Sequence, residues 1–243
     1  MAMSEATPPA LYLVPSLLGG KDPRAVLPEH TLSTMRNLRH FVVENAKSAR
    51  AFLKLVGMPL ALQELELREL NEHTAAADVT ELLGPLVGGK PLGLISEAGC
   101  PAVADPGAPL IAAAHAKGLR VVPLVGPSSI LLGLMASGLN GQAFHFHGYL
   151  PAKREARAEA LRRLDEAAWR TGATQGFIET PYRNLAILEA IVTSCRKESY
   201  LCVAADLSLP TETVRTQTVA QWAHQAFAEY DRRPAVYFLG RRP

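Results

Sequence analysis

LISEAGCPAVADPG, residues 94–107, is an apolar strand that runs into Ser-Glu-Ala-Gly and then, through Asp105-Pro106-Gly107, into a helix. In an open α/β sheet the ligand crevice lies beyond the carboxyl ends of the strands, and this segment sits at such an end. Gly99 lets a ligand approach the backbone closely. Pro101 and Pro106 stiffen the loop and remove N–H groups, leaving carbonyls to face whatever binds. The segment fits neither the P-loop pattern nor GxGxxG, so nucleoside triphosphates and nicotinamide cofactors are not signalled. Taken alone, the same residues also describe a rigid strand–turn–helix connection.

Outward from this segment, short aliphatic runs alternate with amphipathic ones. Toward the N-terminus the pattern predicts strands at 11–15, 40–44 and 65–70, with helices at 31–38, 47–56 and 78–87. The last helix is closed by Gly88-Gly89, as a C-terminal glycine should do. Strand 91–96, helix 109–117 and strand 120–125 follow. Repeated β-α units imply a parallel sheet with helices on both faces. The second half predicts a helix at 128–137, a half-buried strand at 144–149 and a long charged helix at 154–169. Strand 176–180, helix 185–195, adjacent strands 201–205 and 213–219, helix 220–228 and strand 235–239 complete it. Two strands with no helix between them imply a mixed sheet. The reading is α/β with two domains, 1–125 with a mainly parallel sheet and 126–243 with a mixed one.

The 243 residues are 48% hydrophobic and 20% charged with a net charge of +2, enough apolar material for a core and too little charge for a general polyanion binder. Three cysteines without a CxxC pair argue against a disulfide framework and a cysteine zinc site, and make a reducing cytoplasm the expected compartment. Glu5 and the lack of a basic start argue against a secretory signal. Residues 121–152 hold no Asp, Glu, Lys or Arg, yet Pro127, Ser128, Ser129, Gly138 and Asn140 break them into pieces too short to span a bilayer. No membrane partner is expected. Residues 153–163 (KREARAEALRR) carry five basic side chains against two acidic, either a solvated helix face or a local phosphate-contacting patch.

A second strand ends in the same style as the first: VVPLVGPSS, with Gly126-Pro127 as a turn and Ser128-Ser129 as helix caps whose hydroxyls can also face a crevice. Read as neighbours, the strands at 91–96 and 120–125 would share one pocket.

SEAGCPAVADPG, VPLVGPSS, FHFHGYLPAKREAR and IETPYRN, in that order, resemble the tetrapyrrole methylase superfamily. Within it they are most similar to the bacterial small-subunit ribosomal RNA (cytidine-2′-O)-methyltransferases, over about residues 11–239. The resemblance implies two α/β domains with S-adenosylmethionine in the cleft between them, a homodimer, and ribosomal RNA or the small ribosomal subunit as partner. It implies cofactor contacts at Ala98, Gly99, Cys100 and Val103, at Ser128 and Ser129, and at Glu179, Thr180 and Ala205. Glu97 and Cys100 stand where the family pattern has Asp and Thr. Pro15-Ser16-Leu17-Leu18-Gly19-Gly20 replaces Thr-Pro-Ile-Gly-Asn-Leu, and Glu44-Asn45-Ala46-Lys47 replaces Glu-Asp-Thr-Arg. Ala205-Asp206-Leu207-Ser208-Leu209 loses both basic groups of Arg-Glu-Leu-Thr-Lys, whereas Lys153 and Arg157 are retained. These departures describe a divergent subgroup.

Methyl transfer needs alignment and a dry pocket, and a hydroxyl acceptor benefits from a base. Glu97, Glu44 and Lys153 are the catalytic candidates, with His147 and Glu179 also at strand ends. A carboxylate at Glu97 could instead sit near a sulfonium. Lys153 and Arg157 are candidates for substrate phosphate or carboxylate, and Tyr182 with Arg183 for stacking on or clamping a base. Asn71-Glu72-His73 is a further polar cluster. No metal is expected: there is no HExxH, and His145 and His147 alone share a strand face. RNA 2′-O-methylation, methylation of a tetrapyrrole or other metabolite, and a non-catalytic cofactor-binding homodimer are the three readings these residues allow.

Overall fold

The computed structural model describes residues 7–71 and 74–241, and the chain divides into two compact units, Met1–Ser128 and Ser129–Pro243. In the first, β1 (Leu11–Val14), α1 (Glu29–Arg36), β2 (His40–Val43), α2 (Ala46–Val56), β3 (Glu66–Glu69), α3 (Ala76–Val79), α4 (Gly84–Val87), β4 (Leu92–Ile95), α5 (Ala108–Ala116) and β5 (Val121–Pro123) follow in order. The five strands form an all-parallel sheet, β3-β2-β4-β1-β5. Strand alternation sorts the apolar residues onto two faces. Leu11, Val42, Leu92 and Leu94 join Leu83 and Leu110 in one core. Tyr12, Val14, Phe41, Val43 and Ile95 join Leu32, Met35 and Leu53 in the other. Gly93 makes room on that second face, since a Cβ there would lie 2.6 Å from Phe41 Cδ1.

Helix α2 shows how local sequence fixes an element beside the sheet's C-terminal edge. Asn45 caps it, its Oδ1 accepting from the N–H groups of Lys47 and Ser48 at 2.9 and 3.2 Å. Ala49, Leu53 and Val56 form its buried stripe, and Gly57 ends it at φ +74°.

The second unit contains α6 (Ser129–Ser137), β6 (Phe144–Tyr149), α7 (Arg154–Thr171), β7 (Thr174–Ile178), α8 (Asn184–Ser194), β8 (Tyr200–Ala205), β9 (Thr213–Thr218), α9 (Val219–Trp222) and β10 (Ala235–Gly240). Its sheet is mixed, β6-β7-β10-β8-β9, with only β6 and β7 parallel. Phe177 and Tyr237 stack across neighbouring strands with ring centroids 5.3 Å apart, in a core shared with Leu161, Leu188 and Trp222. On the other face α6 approaches closely because Gly133 lacks a side chain; a Cβ there would lie 2.7 Å from Phe238 Cε2.

Four elements differ from their sequence reading. Residues 78–87 are not one helix: α3, a 3-10 turn at Glu81–Leu83 and α4 follow one another. Pro85 has no N–H to give and its ring crowds the preceding turn. Strand β7 begins two residues earlier than expected and ends before Glu179. Its polar start is buried because Thr174 Oγ1 donates to Asn140 O at 2.9 Å and Gln175 Nε2 to Ala173 O at 2.8 Å. Helix 220–228 shortens to α9 and a 3-10 turn at Ala228–Tyr230. Strand β6 is an edge strand exposed along most of its length rather than half-buried.

Candidate active site

The loop after β4 is held by its own carboxylate. Asp105 accepts from the N–H of Ala102 with both oxygens, at 2.9 and 2.8 Å, and from that of Gly107 at 2.7 Å. Gly107 leaves room for this carboxylate, since a Cβ there would lie 2.9 Å from Asp105 Oδ1 and displace it. Ala102 and Ala104 sit at φ +64° and +63°, a left-handed conformation that costs an L-residue about 1–2 kcal/mol. Such strain persists only where surroundings over-determine it, and it clusters at ligand sites.

The sequence reading placed strands 91–96 and 120–125 side by side, but β1 lies between β4 and β5. The loops meet nevertheless, arching over the end of β1. Ser16 N–H donates to Gly99 O at 2.9 Å, and the Cys100 thiol donates to Pro127 O at 3.5 Å. Gly99 adopts φ +69°, and a Cβ would lie 3.2 Å from Leu18 Cδ2 and 3.3 Å from Pro127 O. Gly126 lets its turn sit against Pro15, whose ring carbons would be 2.3 and 2.4 Å from a Cβ. Three loops therefore converge on one edge. Burial pushes the Cys100 thiol above the usual thiol range, so it is no ready nucleophile.

An open cleft of about 750 Å³ lies at this edge, lined by Glu44, Asn45, Asn71, Glu97, Ala104, Asp105 and Pro106. A smaller hollow of about 160 Å³ beside it is lined by Ser16, Leu17, Ser48, Phe52, Ser96 and Glu97 among others. Glu97 borders both. Its Oε1 accepts from Ser48 Oγ at 2.5 Å, which ties the loop to the first turn of α2. Glu44, Glu97 and Asp105 give the larger cleft a lining of three carboxylates, suited to a cationic group. Ala98 and Val103 are exposed on the same loop. Ser128 closes the first unit, and Ser129 opens α6; both are half-buried. Of the polar cluster at 71–73, Glu72 and His73 lie outside the described residues.

In the second unit, Glu179, Thr180 and Arg183 come together just beyond β7. The Glu179 side chain is 0% exposed; its Oε1 accepts from the Thr180 N–H at 2.7 Å and pairs with Arg183 Nη2 at 2.5 Å. Arg183 Nε donates to Thr180 Oγ1 at 3.0 Å. The Arg183 guanidinium thus serves Glu179, leaving Tyr182, 70% exposed, as the outward group of this turn. Ala205 ends β8 buried, followed by Asp206 at φ +53°, which pairs with Arg233 Nε at 2.8 Å. Lys153 is the exposed N-cap of α7. Arg157 belongs to the inward stripe of α7 with Ala160, Leu161 and Leu164, so residues 153–163 are not simply a solvated face. His147 Nε2 lies 2.8 Å from Gln175 Oε1, and His145 is its ring neighbour at 6.3 Å. Among the described residues no group of three or more His, Cys, Asp or Glu side chains could hold a metal ion.

Sequence reasoning passed over Asn45, Ser48 and Asp105 as site-building residues. Asp105-Pro106-Gly107 carried the signal, since Asp before Pro-Gly favours a turn held by its own carboxylate. Ser48 had none, because its partner is 49 positions away.

No protein-family model matches the chain. Among curated proteins it is similar to ribosomal RNA small subunit methyltransferase I of Mesorhizobium japonicum, 34% identical over 236 residues that cover 96% of this chain and 75% of that one. The enzymes of the same name from Xylella fastidiosa and Escherichia coli O157:H7 are each 31% identical, covering 96% and 87% of this chain and 81% and 70% of their own. Among solved structures, the methyltransferase CobJ superposes with a TM-score of 0.62 at 17% identity, over 96% of this chain and 94% of that one. Cobalt precorrin-4 methyltransferase CbiF superposes at 0.60 with 14% identity, over 95% and 94%. At these identities the likeness is one of fold, and it is the two-sheet fold described above.

Proposed function

Because the chain belongs to the ribosomal RNA small subunit methyltransferase I family, we propose that it is an S-adenosylmethionine-dependent enzyme that methylates a ribose 2′-hydroxyl of small-subunit ribosomal RNA. The observation that carries the reading is the carboxylate-lined cleft at the C-terminal edge of the parallel sheet, bounded by Glu97, Ala104, Asp105 and Pro106 of the loop that follows β4. Its volume, about 750 Å³, lies within the range of small-molecule sites. A sulfonium group fits such a lining through the negative charge of Glu97, Glu44 and Asp105, and Ala98 and Val103 are exposed on the loop that supplies Glu97 and Asp105. When bound, S-adenosylmethionine supplies a methyl group already activated on sulfur.

This chain's residues have three tasks. Ala98, Gly99, Cys100, Val103, Ser128 and Ser129 hold the nucleoside, aided by Glu179, Thr180 and Ala205. Glu97, fixed by Ser48, places its charge near the cation, and Glu44, which also lines the cleft, is the carboxylate we assign to take a hydroxyl proton. Lys153, Arg157 and Tyr182 meet the RNA, while Arg183 positions Glu179. The reading includes a cytoplasmic homodimer and two domains at 1–125 and 126–243. Incubation of the protein with methyl-labelled cofactor and under-modified small ribosomal subunits should yield one 2′-O-methylated nucleoside on digestion. Label on a base, or in a metabolite extract but not in RNA, would overturn the proposal. Sedimentation tests the dimer.

A further inference from the structure

We propose that the edge of the mixed sheet where β6 and β7 end carries a subsite for unpaired nucleotides of single-stranded RNA, with Tyr149 and Tyr182 stacking on bases and Arg157 holding a phosphodiester. The inference rests on RNA being the methyl acceptor, and it adds which form of RNA is taken and by which groups.

Strands β6 and β7 run parallel with Tyr149 opposite Ile178. Tyr149 and the turn that follows Ile178, which bears Tyr182, therefore leave the sheet at the same edge. The pairing slips between Phe146 and Tyr149, with Gly148 at φ +65°. A bulge of this kind re-aims the side chain that follows it. Both rings face water: Tyr149 is 55% exposed and Tyr182 70%.

The chain leaving β6 enters α7 within five residues, at the same edge. The N–H groups of Arg154, Glu155 and Ala156 have no intrahelical acceptor, that of Arg157 donates to Lys153 O at 2.9 Å, and the Lys153 N-cap makes no side-chain capping bond. Arg157, 7% exposed, lies in that first turn. Its Nη1 donates to Ala152 O at 3.3 Å, while its Nε is buried without a hydrogen-bond partner. Among the described residues no carboxylate lies within ion-pair distance of it. A guanidinium withdrawn from water with its charge unmatched is costly unless an anion completes it. A phosphate oxygen between Arg157, Lys153 and the helix N-terminus supplies that anion in the geometry arginine favours. Aromatic rings beside a phosphate site select unpaired nucleotides, because only unstacked bases offer a free face.

Fluorescence anisotropy with a labelled single-stranded oligoribonucleotide, and with the same strand in duplex, tests the proposal across a salt series. The wild-type protein should bind the single strand more tightly. Tyr149→Ala and Tyr182→Ala, both at exposed positions, should each weaken it roughly 5- to 150-fold without changing the salt slope. Arg157→Gln should flatten the slope by about 0.7, with Arg157→Lys restoring most of it. Wild-type affinity in both tyrosine variants, or equal affinity for single strand and duplex, would overturn the subsite. Methyl transfer measured in parallel separates the two claims. RNA methylated by the wild type with unaffected tyrosine variants removes only the subsite. Binding as described without methyl transfer removes only the enzymatic reading, and absence of both removes both.

Discussion

Glu97 and Gly99 stand two residues apart and do different work. Glu97 is an exposed carboxylate that offers charge to the cleft, worth about 1 kcal/mol to a cation roughly 4 Å away in high dielectric. Glu97→Gln should therefore weaken S-adenosylmethionine by about fivefold. The neutral thioether product should bind nearly unchanged. Calorimetry with both ligands checks this, and an equal loss for both would make Glu97 a shape-determining residue instead. Gly99 is a backbone residue first. At φ +69°, with Pro127 O 3.3 Å from a Cβ, Gly99→Val should lower stability by about 1–3 kcal/mol in urea titration. Lost ligand affinity in that variant would therefore not by itself place the loop in the site. Asp105→Ala is more telling: it removes every side-chain acceptor holding the Ala102 and Gly107 N–H groups. It should cost about 2–3 kcal/mol and release the strained alanines, with cofactor affinity falling alongside.

At the scale of elements, α6 and β10 illustrate how a glycine sets a packing distance. Gly133→Val would drive a Cβ to within 2.8 Å of Val236 Cγ1 as well as into Phe238. Overpacking of this kind costs about 1–3 kcal/mol, and circular dichroism melts of the variant should show it. The same elements show where sequence patterns suffice. The short apolar runs LYLV, HFVV and LGLI place β1, β2 and β4 correctly because their partners on both faces are apolar. The pattern failed at 78–87, where Pro85 breaks a helix that its apolar spacing favours. It also failed at the start of β7, where buried Thr174 and Gln175 look like loop residues until their long-range partners are known.

At the scale of the molecule, each unit has its own core, and the two thiols with the largest shifts lie in the second. Burial, with the nearby Asp165 charge, pushes Cys195 to about 12. Burial, partly offset by a hydrogen bond with Thr216, pushes Cys202 to about 11. A thiol that holds its proton longer folded than unfolded gives stability that is complete below the unfolded value, near 8.5, and is lost as pH rises toward the folded one. Stability should then fall from about pH 9 by up to ~1.4 kcal/mol per pH unit for each thiol. Urea midpoints between pH 8 and 10.5 check this, and Cys202→Ala should flatten the decline. The net charge of +2 bears on partners: RNA binding that rests on the few basic groups around α7 should show a shallow salt dependence, about 0.7 per phosphate contact.

Much of this protein is determined locally. Periods of two and of three to four residues set out the strands and helices, and the Gly, Pro and Asp of residues 94–107 mark the loop that bounds the cleft. Those signals depend on neighbours a few residues away, so they survive in the sequence alone. The tertiary structure decided what those signals could not reach. It set β1 between β4 and β5, tied Ser48 to Glu97, turned Arg183 inward to Glu179 and buried Arg157 with no acid partner among the described residues. Each of these depends on which distant segments come together, and pairing across tens of residues follows from the packing of whole sheets rather than from any local pattern.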